Sequence, residues 1–162
     1  MTIKIILLGQ GWRFTSQGMV MLGGRLGENT FIYGWDSPEV IIKILWALSR
    51  GHKVVVIGYS LGANQLGFIS AHIKDMIDLG VAYDPSRYSP LTFEDKYGDH
   101  YQTAPNFKRF LCYQNTGAWF FGGSYYVGKN VELTRVFDFH LGIQFNETLH
   151  QKTIAAVGEL GD

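Results

Sequence analysis

Apolar residues along this chain come in two alternating kinds of run. Short continuous runs, as in IKIILL and KVVVIG, predict strands at 3–8, 30–34, 53–58, 79–83, 108–113 and 131–137. Longer runs with apolar residues three and four apart predict helices at 16–26, 38–50, 61–76 and 145–158, the second opened by the Ser37-Pro38 pair. The strand at 53–58 is apolar without alternation, the mark of a strand buried on both faces. Strands alternating with helices imply a parallel sheet covered on both sides. Right-handed crossovers then bring the carboxyl ends of the strands to one edge, where ligands bind in open sheets of this kind.

Two stretches break the alternation. Residues 85–106 hold three of the four prolines with little periodicity and read as a long loop or a short irregular helix over the carboxyl edge. Residues 116–130, TGAWFFGGSYYVGKN, mix aromatic residues with glycine and read as a mobile flap or hairpin.

The chain has 162 residues, which suits one domain over 1–162 with a single core. Its 14 basic and 14 acidic residues cancel, so no net field favours nucleic acid or an anionic membrane, and small or neutral partners are expected. The lone cysteine, Cys112, excludes an internal disulfide and reads as a small buried hydrophobe in FLCYQ. The amino-terminal apolar run is shorter than the core of a signal peptide or a membrane span, so a cytoplasmic or otherwise soluble protein is expected. The histidines lack metal-ligand spacing, and neither a metal nor a cofactor is expected.

The candidate chemistry centres on Gly58-Tyr59-Ser60-Leu61-Gly62, between the buried strand and the next helix. A sharp strand-to-helix turn leaves no room for side chains flanking the serine, so glycine on both sides is mechanical. Such a turn lifts the Ser60 hydroxyl to the carboxyl edge, and the amides opening the helix face any oxyanion formed beside it. A histidine must then reach the same edge to take the proton. His52 precedes its strand, and His72 lies about twelve residues into the following helix, roughly 18 Å away. His100, His140 and His150 remain, and of these His140 sits directly between the last strand and the last helix. The GQGWRF segment after the first strand opens like a dinucleotide-binding turn, but Phe14 stands where that motif needs its third glycine.

The segment VVVIGYSLGAN resembles the nucleophile elbow of the α/β-hydrolase superfamily, and the element order over nearly the whole chain is compatible with a small member lacking a cap domain. The resemblance implies a three-layer sandwich around a mostly parallel sheet of about six strands. It implies a triad in the chain order serine, acid, histidine. Ser60 is then the nucleophile and His140 the base, at the superfamily's position for the histidine. The strand at 108–113, where many members carry the acid, ends in Gln114-Asn115-Thr116 with no carboxylate. Asp84, in the Asp84-Pro85 turn after the preceding strand, becomes the candidate acid, an arrangement similar to pancreatic-type lipases, with Asp138 as its competitor. For the oxyanion hole the resemblance points to the Leu61 amide and to one from the Gly9-Gln10-Gly11-Trp12 loop, here Trp12, with Gln10 as the alternative.

These assignments describe a serine esterase or lipase acting on a small-molecule carboxylic ester. Gln10, Trp12, Phe14, Trp119, Phe120, Tyr125 and Tyr126 are the candidate substrate-binding residues, the aromatic ones as walls for an apolar acyl group. A thioesterase, amidase or transacylase would share the machinery, and a non-catalytic binding module retaining the fold is the rival of a different class.

Overall fold

The computed structural model describes residues 1–87, 101–117 and 121–161. His100, Trp119 and Phe120 lie outside them, as does most of the predicted loop at 85–106.

Strands β1 (Thr2–Leu7), β2 (Thr30–Tyr33), β3 (Lys53–Tyr59), β4 (Ile77–Tyr83), β6 (Phe107–Asn115) and β8 (Val131–Val136) form one sheet in the order β2-β1-β3-β4-β6-β8. Every pairing within it is parallel. The short strands β5 (Tyr101–Gln102) and β7 (Tyr125–Tyr126) pair with each other, also in parallel. The helices are α1 (Gln17–Leu26), α2 (Glu39–Ser49), α3 (Leu61–His72), α4 (His140–Ile143) and α5 (Glu147–Leu160).

Alternation along the strands divides the core into two layers. Ile3, Ile5, Leu7, Val54 and Val56 meet Val40, Ile44, Leu66 and Ile69 of α2 and α3 on one face. On the other, Ile6, Leu8, Val55 and Ile57 meet Met19 and Leu22 of α1 and Leu149 and Ala156 of α5. The result is the expected three-layer sandwich. Central β3 feeds both layers, and Val54, Val55, Val56 and Ile57 are all wholly buried. Burial of each is worth about 1.5–3 kcal/mol, so the strand that carries the Ser60 turn is among the most firmly anchored.

The structure departs from the local expectations at three points. Helix α3 ends at His72 rather than 76, because Ile73 turns extended and the Asn106 side chain donates to the Ser70 and Ile73 carbonyls at 2.8 and 2.5 Å. The segment predicted as a flap or hairpin does not pair with itself where it is described. Its β7 joins β5 from before β6, held by the buried Tyr126 hydroxyl, which donates to the Ala63 carbonyl at 2.8 Å. The final helix, predicted at 145–158, is α5, capped by Asn146 accepting from the Leu149 amide at 3.2 Å; what the pattern missed is the short α4 before it, ending at Ile143.

Candidate active site

Ser60 occupies the turn between β3 and α3 with φ 56° and ψ −119°, a left-handed backbone that a serine adopts only under constraint. Such strain costs about 1–3 kcal/mol and persists only where the surroundings enforce it. Its amide donates to the Tyr83 carbonyl of β4 at 3.0 Å, and its carbonyl accepts from Asn64 at 3.2 Å. The flanking glycines are demanded by contact. A Cβ on Gly58 would stand 2.6 Å from the Ala63 nitrogen, and one on Gly62 would stand 2.8 Å from the Leu8 carbonyl oxygen. The bend is therefore closed by backbone against backbone.

Three polar side chains converge here from the ends of β3, β4 and β8. Ser60 Oγ lies 2.8 Å from His140 Nε2, and His140 Nδ1 lies 2.6 Å from Asp84 Oδ2. Because a carboxylate only accepts, Nδ1 carries the proton toward Asp84, which leaves Nε2 as the acceptor of the Ser60 hydroxyl proton. Asp84 is wholly buried, and the His140 side chain is only 11% exposed. The buried carboxylate is satisfied on both oxygens: Oδ1 accepts from the Asn115 and Gly123 amides at 3.1 and 2.8 Å, Oδ2 from His140. Asp84 also holds a left-handed φ of 44°, fixed by its amide donating to the Tyr113 carbonyl at 2.7 Å. Asp138, the competing carboxylate, accepts from the neighbouring Phe139 amide at 2.8 Å.

No protein-family model matches the sequence, and no curated protein is significantly similar to it. Solved structures do match. A Xanthomonas campestris pv. campestris protein assigned to the α/β hydrolase superfamily superposes with a TM-score of 0.54 at 12% identity, covering 97% of this chain and 96% of its own. The predicted CIB-like hydrolase of Thermoplasma acidophilum gives 0.54 at 14%, covering 94% and 84%. Human thioesterase 2 gives 0.55 at 9%, covering 99% and 98%. The fold is that of the α/β-hydrolases.

Within that α/β-hydrolase framework the sequence-based site residues fare differently. Leu61 opens α3, so its amide is among those with no partner inside the helix. The Trp12 amide is not available as a second donor. Residues Trp12–Phe14 form a tight 3-10 turn, and the Trp12 N–H donates to the Gly9 carbonyl at 3.1 Å. The alternative, the Gln10 amide, sits in a loop resting directly on Ser60, since a Cβ on Gly9 would lie 3.0 Å from Ser60 Cβ. The Gln10 side chain is exposed, and Trp12 and Phe14 are 55% and 92% exposed beside the same loop.

Tyr125 and Tyr126 are not free aromatic walls. Tyr125 packs against the α2–α3 core layer, and Tyr126 is fully buried. His150 is buried inside α5, its Nε2 donating to the Gln144 carbonyl at 2.7 Å. Among the described residues, no three His, Cys, Asp or Glu side chains gather as a metal site. No described helix is long and apolar enough to cross a membrane.

Two contributors escape a sequence reading. Tyr59, the variable residue of the Gly58–Gly62 motif, stacks on the His140 imidazole with ring centroids 5.1 Å apart and planes 25° apart. Its hydroxyl donates to the His140 carbonyl at 2.9 Å, so one side chain grips both ring and backbone of that histidine. Burial raises the Tyr59 phenol well above its ordinary value, with the charge of Asp84 adding to the effect, and it stays a donor. Gly122 backs directly onto the Asp84–His140 pair: a Cβ there would stand 2.5 Å from both His140 Nδ1 and the Asp84 carboxyl carbon. The signal for Gly122 is the Gly122-Gly123 pair; Tyr59 has none.

Proposed function

We propose that the protein is a serine hydrolase that cleaves a small-molecule carboxylic ester through an acyl-enzyme on Ser60. The observation that carries this reading is the continuous hydrogen-bonded chain from Ser60 through His140 to buried Asp84, mounted on a strained turn. A merely structural serine has no need of that conformation or of an imidazole acceptor.

His140 takes the hydroxyl proton as Ser60 Oγ attacks the ester carbonyl, and Asp84 steadies the imidazolium that forms. The Leu61 and Gln10 amides donate to the oxyanion of the tetrahedral intermediate. Collapse breaks the bond to the leaving oxygen, which receives the proton from His140, and the acyl group stays on Ser60. Water then repeats the sequence and releases the acid, so the chemistry needs neither metal nor cofactor. A thioester is the second substrate this reading admits, with a thiol as the leaving group, since human thioesterase 2 shares the fold.

The test is hydrolysis of p-nitrophenyl acetate and of an acyl-thioester by the wild type and by Ser60→Ala. Loss of the nucleophile is expected to reduce kcat by about 10⁶ on whichever substrate is turned over. Equal turnover by both proteins would refute the assignment.

A further inference from the structure

We infer that the acyl chain of the substrate lies in a groove over the carboxyl ends of β1 and β2, on the side of Ser60 away from His140. The inference rests on the serine-hydrolase reading. Leu8, Trp12, Phe14, Ile32 and Tyr33 contribute to a groove of about 920 Å³ there. That volume is near the upper end of the roughly 300–1,000 Å³ range that holds small organic ligands. The charged residues around it, Arg13, Asp36 and Glu39, are exposed and keep their charges in water. What the groove offers a ligand is chiefly apolar contact.

The strand order decides which half of the ester goes there. Ser60 follows β3, Asp84 follows the next strand, β4, and His140 bridges the two, so the imidazole approaches the nucleophile from the β4 side. The leaving oxygen must face His140 Nε2 to receive its proton when the tetrahedral intermediate collapses. The leaving group is thereby directed toward β4. The carbon chain of the acyl group departs the other way, toward β1 and β2. The groove lies there, and one residue lining it, Leu8, is the chain neighbour of Gly9, which rests on Ser60. An apolar chain of medium length is the occupant this volume and lining fit.

The experiment measures kcat/KM along two series: p-nitrophenyl acetate, butyrate, hexanoate and octanoate, and ethyl, butyl and hexyl acetate. In the wild type the acyl series is expected to climb by up to about fourfold per methylene, the gain from burying one such group, while the alcohol series stays shallow. Gly34→Leu fills the groove, because a Cβ at Gly34 would stand 3.0 Å from Trp12 Nε1, between two of its walls. The octanoate-to-acetate ratio is expected to fall toward one in that variant; a ratio taken within one preparation is independent of the fraction folded. A flat acyl series in the wild type, or a steep one untouched by Gly34→Leu, overturns the groove assignment. In either case the serine-hydrolase reading stands wherever acetate turnover still depends on Ser60. Absence of Ser60-dependent turnover on every ester overturns both.

Discussion

Gly122→Ala is the substitution in which a single methyl group should disable the proposed chemistry without touching the identity of Ser60, His140 or Asp84. Gly122 is buried, and its φ is not left-handed, so alanine leaves the backbone unstrained and perturbs only what the new carbon touches. It would run first into Asp84 Oδ2, with His140 Nδ1 and the Asp84 carboxyl carbon both 2.5 Å from the added Cβ. Carbon and a polar atom approach no closer than about 3.3 Å, so the pair must give by roughly 0.8 Å or more. Displacing a reacting group by about 1 Å costs on the order of 10²-fold in rate, and complete loss of the acid's hold on the histidine about 10⁴-fold. The expected kcat lies between those limits below wild type, with KM little changed because nothing in the proposed acyl groove moves. Stability should fall by about 1–3 kcal/mol, the usual range for overpacking. Steady-state kinetics on p-nitrophenyl acetate, with thermal unfolding of the same samples, checks both numbers. A variant within threefold of wild-type kcat would refute the close approach of this loop to the triad.

Three further outcomes are expected. Tyr59→Phe keeps the ring stacked on His140 but loses the hydrogen bond to its carbonyl, a loss of about 0.5–1.5 kcal/mol, whereas Tyr59→Leu loses the stack as well and should lower kcat further; equal kcat in the two variants would remove the role given to the ring. Burial pushes the Cys112 thiol up to about 12, so the native protein should resist a thiol reagent at neutral pH and react fully once unfolded, and rapid native labelling would contradict its burial. Burial lowers the His150 imidazole from its ordinary value, with the hydrogen bond to Gln144 opposing, so the unfolded chain binds the proton more tightly. His150 therefore leaves stability intact above the ordinary histidine value and erodes it as pH falls below about 6.5. The thermal midpoint should drop between pH about 7.5 and about 5, and less steeply in His150→Gln; parallel slopes would exclude His150 as the cause.

The parts of this structure legible in the sequence are those set by neighbours along the chain. Gly58 announces the turn because the contacts that demand it, in Gly62 and Ala63, lie within it, and the apolar run before it can only be a doubly buried strand; Gly62 is legible through the motif alone, since what demands it is Leu7 and Leu8 at the end of β1. The place of His140 follows from element order, and Asp84 follows from the missing carboxylate after β6. What stayed hidden is set by distant partners. The end of α3 depends on an asparagine 33 positions beyond Ile73. Tyr126 stands among glycines like a surface aromatic, yet its hydroxyl reaches 63 residues back to α3. The Trp12 amide is withdrawn by a 3-10 turn whose three residues leave no periodic trace, and Tyr59 holds a histidine 81 positions away from a motif slot that any residue can fill.

The central claim is that the Ser60 hydroxyl is activated by His140 for covalent attack. Incubation with a fluorophosphonate followed by peptide mass spectrometry tests it most directly. One phosphonyl adduct per chain on Ser60, strongly slowed in Asp84→Asn and absent in Ser60→Ala, is the predicted result. An adduct on another residue, or labelling that persists in Ser60→Ala, would contradict it.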